Sequence, residues 1–170
     1  MQTGSDDEIG INAQNYTVAA FQRQMFARSN LAGIFINRQA IGVNDSTKFT
    51  RIAGIDYNLQ SKDNKWVGKI FYPRAFKPNN LDGKFATAGF LGYRGRSVVL
   101  FWNHEFIGEN YEVNDIGFVR RQGVWRFEPF GEYVMYGGNN SPVARHGPSL
   151  YVNVYKDLDF VDTDRTFRLR

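Results

Sequence analysis

Gly123-Val124-Trp125-Arg126-Phe127-Glu128-Pro129-Phe130-Gly131-Glu132-Tyr133-Val134-Met135-Tyr136 decides how this chain is read. Its odd positions hold Trp125, Phe127, Pro129, Gly131, Tyr133 and Met135, whereas its even ones include Arg126, Glu128 and Glu132. Successive side chains of a strand point to opposite faces, so this period of two predicts a strand with one apolar, aromatic face and one polar face. The run 49–61 repeats the pattern. Ala53, Ile55, Tyr57 and Leu59 alternate there with Asp56 and Asn58. In 96–107, Val98, Leu100 and Trp102 lie on the face opposite Asn103 and Glu105.

Working outward, runs of similar length recur along the chain, at 15–27, 30–41, 49–61, 65–72, 84–94, 96–107, 123–136 and 149–160, and some are mixed: 30–41 puts Ile34 and Ile36 on one face and Leu31 and Phe35 on the other. Between the runs lie breakers. They include Gly42-Val43-Asn44-Asp45-Ser46, Ser61-Lys62-Asp63-Asn64, Pro78-Asn79-Asn80-Leu81-Asp82-Gly83 and Gly137-Gly138-Asn139-Asn140-Ser141-Pro142. Arg94-Gly95-Arg96 predicts a tight hairpin with Gly95 at positive φ. No helical period, strict repeat or composition shift interrupts this, so 1–170 reads as a single β unit.

Composition narrows the function classes. The 170 residues hold 15 Phe, 9 Tyr, 3 Trp and 17 Gly, a balance that favours strands over helices. There is no cysteine, which excludes disulfides, thiolate nucleophiles and Cys-ligated metal. The net charge of +4 is too mild for a nucleic-acid-binding tail, so no nucleic acid is expected as a partner. No apolar run approaches the ~20 residues of a membrane helix. The opening Met-Gln-Thr-Gly-Ser-Asp-Asp-Glu is not a secretory signal.

Two settings produce the alternation. In a soluble sandwich the apolar face meets a core; in a membrane barrel it meets lipid and the polar face lines the interior. Soluble strands average about 5–6 residues, whereas a tilted spanning strand needs about 9–11. Most of these runs meet the longer figure. Tyr16, Phe26, Trp66, Tyr72, Tyr93, Trp125 and Tyr136, near run ends, suit interfacial girdles.

Three motifs carry a family resemblance. They are Met1-Gln2-Thr3 followed by Asn15-Tyr16-Thr17-Val18-Ala19, then Arg28-Ser29-Asn30-Leu31-Ala32-Gly33-Ile34-Phe35-Ile36-Asn37-Arg38-Gln39, and most specifically Ile107-Gly108-Glu109-Asn110-Tyr111 with Ile116-Gly117-Phe118-Val119-Arg120-Arg121. Together, over residues 1–130, they resemble a Bacteroidetes-type outer-membrane β-barrel family of unknown function. Its full-length members carry a signal peptide, an N-terminal domain similar to family-nine carbohydrate-binding modules, and a long C-terminal barrel. Glu112-Val113-Asn114-Asp115 departs from the family's Asn-Pro-Glu-like stretch. The resemblance implies that this chain is an internal segment of such a barrel. Its partners would then be membrane lipid, the remainder of the barrel, and carbohydrate through an upstream domain absent here.

Other candidates are each weighed against a plain structural role. Asp157, Asp159, Asp162 and Asp164 could bind Ca²⁺, but they match no loop signature; Asp157 and Asp159 read as sharing one strand face and Asp162 and Asp164 as an exposed turn. Glu105 and Glu109 near His104 could serve acid–base chemistry, yet His104 and Glu105 point to opposite strand faces. Gly108, Tyr111, Gly117, Phe118, Val119 and Arg121 form the motif turn. Gly108 and Gly117 there suit positive φ, and an inward-folded, constricting loop is the functional alternative. The pairs Arg94/Arg96 and Arg120/Arg121, with Arg165, Arg168 and Arg170, suit solvated turns or anionic headgroups. The sequons Asn15-Tyr16-Thr17 and Asn44-Asp45-Ser46 carry no weight in a bacterial protein.

The expectation is therefore an all-β, antiparallel, up-and-down transmembrane barrel of about eight strands, part of a larger one, in an outer membrane. Lipid-facing residues are Ala53, Ile55, Tyr57, Leu59, Val98, Leu100, Trp102, Trp125, Phe127, Tyr133 and Met135. Lumen-facing residues are Asp56, Asn58, Asn103, Glu105, Arg126, Glu128 and Glu132. No enzyme activity, cofactor or metal is expected. The role is to anchor, or provide passage for, a carbohydrate-recognition module. A soluble glycan-binding sandwich is the first alternative and a carbohydrate-active hydrolase the second.

Overall fold

The computed structural model describes residues 1–5, 12–42, 49–78, 82–114, 116–138 and 141–170. The described elements are strands and turns. They are β1 (Gln2–Thr3), β2 (Gln14–Met25), β3 (Ser29–Ala40), β4 (Phe49–Gln60), β5 (Trp66–Phe76) and β6 (Ala86–Arg94). They continue with β7 (Val98–Ile107), β8 (Val124–Tyr133), β9 (Met135–Tyr136), β10 (Arg145–His146), β11 (Ser149–Lys156) and β12 (Asp162–Leu169). Ten form one antiparallel sheet in the order β1-β2-β3-β4-β5-β6-β7-β8-β11-β12, and β9 with β10 forms a separate pair.

The sheet is a meander, as the alternating runs and their breakers predict. It is not closed into the expected barrel: β12 and the outer side of β2 remain its edges. Direction explains why they cannot meet antiparallel. Every neighbouring pair from β2 to β12 is antiparallel, so these two edge strands run the same way.

Each expected run holds a strand, with four corrections. The run 65–72 continues to Phe76 through Pro73. Ala75 donates its N–H to the Lys84 carbonyl on the β6 side, so Pro73 lacks its N–H on that same side. The β5–β6 ladder stops there, at Phe71↔Ala88, and resumes as the isolated bridge Arg74↔Phe85, so the missing donor coincides with a gap. The run 123–136 breaks at Val134, and Met135 belongs to β9 rather than to the large sheet. The alternation that placed Met135 beside Tyr133 therefore does not reach it. The run 149–160 ends at Lys156, and Phe160 sits in the following turn at φ 60. Finally, Asp157 and Asp159 lie beyond the end of β11 and not on a strand face, whereas Asp162 and Asp164 lie on β12, not in a turn. Gly95 makes the β6–β7 hairpin, accepting no positive φ; its N–H donates to the Val98 carbonyl at 2.8 Å.

Register defines the two faces, because directly opposed residues share one. One row crosses the sheet as Arg23, Leu31, Tyr57, Ile70, Gly89, His104, Phe127, Val154 and Arg165. Trp102 belongs to this face. A row on the other face runs Gln24, Asn30, Asn58, Lys69, Phe90, Asn103 and Glu128.

The buried core is small and lies at one end of the Glu128 face. Ile52, Ala75 and Ala86 from the sheet pack with Tyr111 and Val113 from the β7–β8 connection, and Ile36, Ile107, Ile116 and Val119 border them. The connection 108–123 thus folds back over the sheet.

Candidate functional site

The chemistry-bearing residues divide by face. Asp56, Asn58, Asn103, Glu105, Arg126, Glu128 and Glu132 all lie on the Glu128 face. Ala53, Ile55, Tyr57, Leu59, Val98, Leu100, Trp102, Trp125, Phe127 and Tyr133 lie on the Trp102 face. Met135 is the exception already described.

On the Trp102 face large apolar side chains stand in the open. Ile55 is 59% exposed, Leu100 50%, Trp102 47% and Phe167 64%. Phe21, Phe35, Ile70, Tyr72, Leu91 and Leu150 extend the surface from β2 to β11. Monomeric soluble domains rarely expose a contiguous apolar patch above a few hundred Å². From β5 to β8 this face carries no Asp, Glu, Lys or Arg between Trp66 and Tyr72, Thr87 and Tyr93, Val98 and Phe106, or Trp125 and Tyr133. Arg51, Arg74 and Lys156 stand at its margin, near the strand ends, and Arg23 and Arg165 on its two outermost strands.

Aromatic rings collect at both ends of this band. At one end Trp66 lies 5.0 Å from Tyr93 between centroids. At the other, Tyr72, Phe85, Phe106, Trp125 and Phe160 form a ribbon with successive spacings of 5.6, 5.1, 4.3 and 5.6 Å. Trp66, Tyr72, Tyr93 and Trp125 are thus in the two groups. Tyr16 instead lies on the Glu128 face, opposite Arg38, and Tyr136 in β9.

The Glu128 face carries paired polar groups. Glu128 accepts from Asn103 Nδ2 at 2.9 Å, from Arg126 Nη2 at 3.0 Å and from the Tyr151 hydroxyl. Arg126 also reaches Glu105 at 3.8 Å and donates to Asn153 at 3.3 Å. A second network joins Lys69 to Asp56 at 2.7 Å, and Asn58 donates to Asp56 and to Asn30. Glu132 pairs with Arg145 at 2.8 Å. Beside the first network, Phe90, Phe101, Phe130 and Tyr151 line an open pocket of about 350 Å³ with Asn103 and Glu128. The hydrophobic reading of 123–136 missed this pocket, because Phe130 and Phe101 interrupt the polar register of their strands.

The motif 108–123 is placed by its contacts. Gly108 donates to the Phe85 carbonyl at 3.0 Å and Asn110 Nδ2 to the Asp82 carbonyl at 2.7 Å. Lys77 pairs with Glu112 at 3.0 Å, and Gln122 Nε2 donates to the Tyr111 carbonyl at 2.8 Å. Burial holds the Tyr111 phenol above its ordinary pKa. Phe118 is 84% exposed, and Arg121 pairs with Asp164 at 3.2 Å. Gly108 and Gly117 do not take positive φ as expected. A Cβ on Gly108 would sit 2.0 Å from the Gly83 carbonyl oxygen, so close backbone approach is its reason; at Gly117 the nearest atom is 3.9 Å away. Of the departure 112–115, Asp115 lies outside the described residues, as do 43–46 with their sequon and 79–81.

Three of the four carboxylates weighed for Ca²⁺ are separately engaged. Asp157 accepts from Val161 N–H at 2.8 Å, Asp162 pairs with Lys156 at 2.6 Å and with Arg165, and Asp164 with Arg121. Among the described residues no group of three or more His, Asp or Glu could hold a metal ion. Glu105 stands on β7 and Glu109 in the following connection, beside Gly83. No helix is long and apolar enough to cross a membrane, which says nothing of strands. Compared with family models, with curated proteins and with solved structures, the chain matches none.

Proposed function

We propose that this chain forms part of the wall of an outer-membrane β-barrel, with its Trp102 face in lipid and its Glu128 face toward the interior. The observation that carries the reading is the exposed apolar band of β4–β8 and β11, uncharged across β5–β8 and edged by aromatic rings at both ends. Strand length agrees, since β2–β8 have 9 to 12 residues, against the ~9–11 a tilted spanning strand requires. Partly exposed ion pairs on the other face suit a wetted interior. The role is non-enzymatic: the wall anchors, or provides passage for, a carbohydrate-recognition module. Connection 108–123, folded over the Glu128 face, would narrow the interior at that end.

The test is to dilute urea-unfolded chain into buffer and into detergent micelles. Circular dichroism and mobility on an unheated denaturing gel are then read. Strand signal and a heat-modifiable band that need detergent support the proposal. Cooperative folding in plain buffer overturns it. The pocket of Phe90, Phe101, Phe130 and Tyr151 favours one second reading, a soluble sheet that holds a sugar ring on its aromatic faces. That reading predicts folding in buffer and sugar binding lost in Phe101→Ala.

A further inference from the structure

The gap that Pro73 leaves in the β5–β6 ladder interrupts the sheet near one end of the Trp102 face. The ladder stops at Phe71↔Ala88 and resumes at the bridge Arg74↔Phe85. Beside that bridge lies a pocket of about 350 Å³, whose lining includes Tyr72, Arg74, Phe85, Lys77 and Lys84. Tyr72 and Arg74 lie on the Trp102 face, opposite Ile55 and Ala53. Tyr72 and Phe85 also begin the aromatic ribbon, with centroids 5.6 Å apart. The pocket therefore stands where the apolar band ends and its aromatic edge begins.

Its charge is mainly positive. Asp82 is the carboxylate among its described lining residues, and Lys77 is paired with Glu112 at 3.0 Å. Arg74 is exposed, with its guanidinium 5.6 Å from the centre of the Phe76 ring. Arg51 stands diagonally across from it on β4, with its guanidinium over Phe49 at 4.4 Å and its Nε donating to Asn37 at 3.0 Å. Among the described residues neither arginine pairs with a carboxylate. The Trp66 end of the band differs. Lys65 is paired there with Asp63 at 3.6 Å, and Arg94, on the Glu128 face, lies over Phe101 at 5.3 Å.

An arginine at the edge of hydrocarbon is costly unless its head reaches the interface and meets an anion. Phosphate suits it, because two N–H groups of a guanidinium match two phosphate oxygens at once. Along β5 from Arg74, the same face carries Tyr72 and Ile70, 42% and 49% exposed, beside Ile55 on β4 at 59%. The cationic pocket thus runs into an apolar track, which matches an anionic head on an acyl tail.

We propose that the pocket of Arg74, Lys77 and Lys84 holds the phosphate headgroup of an anionic bilayer lipid, whose acyl chain lies along Tyr72, Ile70 and Ile55. The proposal rests on the membrane reading above and names the lipid chemistry that the Trp102 face takes at this end. A zwitterionic headgroup carries its own ammonium and gains less from the site.

The test folds the full chain in neutral detergent micelles doped with dioleoyl phosphatidic acid or dioleoyl phosphatidylcholine. Bound lipid is counted by native mass spectrometry, and the heat-modifiable band shows that each variant has folded. One phosphatidic acid should bind per chain, saturably and about tenfold more tightly than phosphatidylcholine. Arg74→Gln should weaken that binding about tenfold, and Lys84→Gln should act in the same direction. Arg94→Gln removes the same charge at the other end and should leave binding unchanged. Equal weakening in Arg74→Gln and Arg94→Gln means diffuse charge attraction and overturns the proposal. So does glycerol phosphate that competes as well as the lipid, since the site would then take a free phosphate ester. A heat-modifiable band without saturable lipid overturns the pocket and leaves the wall assignment standing. Cooperative folding in plain buffer sinks the membrane reading, and this proposal with it.

Discussion

Gly108 and Gly117 look alike in the motif, and the structure separates them. A methyl on Gly108 would meet the Gly83 carbonyl oxygen at 2.0 Å, whereas one on Gly117 meets nothing nearer than 3.9 Å. Gly108→Ala should therefore destabilise by roughly 1–3 kcal/mol, as overpacking against backbone does. Gly117→Ala should stay within about 0.5 kcal/mol. Denaturant titration of the two variants, in whichever medium the chain folds, compares them. Asp63 supplies a pH test outside the long strands. The Ser61 hydroxyl at 2.6 Å and then the Lys65 N–H hold its carboxyl below the usual carboxylate range. A lowered folded pKa contributes stability above the unfolded pKa, and that contribution is lost as pH falls through the folded value. Asp63→Asn should thus lower the melting temperature at neutral pH and match the parent chain in acid below the folded pKa. An unchanged gap at all pH values would refute this role for the carboxylate.

At the element scale, the connection 108–123 stands out. Tyr111 and Val113 are its anchors, each under 9% exposed. Val113→Asp would bury a carboxylate among Ile52, Ala75 and Ala86. It should undock the connection and expose it to protease near Phe118, with the strand signal retained. Tyr111 gives a spectroscopic check. Its raised pKa keeps the phenol neutral after exposed tyrosines ionise. The resulting stability is present below the unfolded pKa and lost as pH rises through the folded one. Tyr111→Phe should remove one late step from the ultraviolet titration of the nine tyrosines. This docking was not legible in the sequence. Tyr111, Val113, Ile116 and Val119 have no strand or helix period, and only the folded sheet brings Ile36, Ile52 and Ala75 beneath them.

For the whole molecule, the two faces give the decisive contrast. Leu100→Arg puts a cation in the apolar band, which costs about 2–4 kcal/mol at a bilayer midplane. It should abolish the heat-modifiable band in micelles, whereas Asn103→Arg, three residues along the same strand on the other face, should keep it. Equal insertion of both variants would refute the face assignment. Glu128→Ala deprives Asn103, Arg126 and Tyr151 of their shared acceptor. It should cost roughly 1–3 kcal/mol, read as a lower unfolding midpoint with insertion intact.

The alternation of Trp125, Phe127 and Tyr133 with Arg126, Glu128 and Glu132 determined the strands and which residues share a face, because a strand's side-chain period is local and needs no partner. The same locality hid β12. Asp162, Asp164, Arg165 and Arg168 make it too charged to read as a strand until Val154↔Arg165 and Tyr151↔Arg168 supply its neighbours. Met135 was misplaced because the break at Val134 comes from the β9–β10 pairing, not from the alternation. Only the tertiary structure decided that the sheet stays open, since closure depends on the directions of β2 and β12, which lie at opposite ends of the chain.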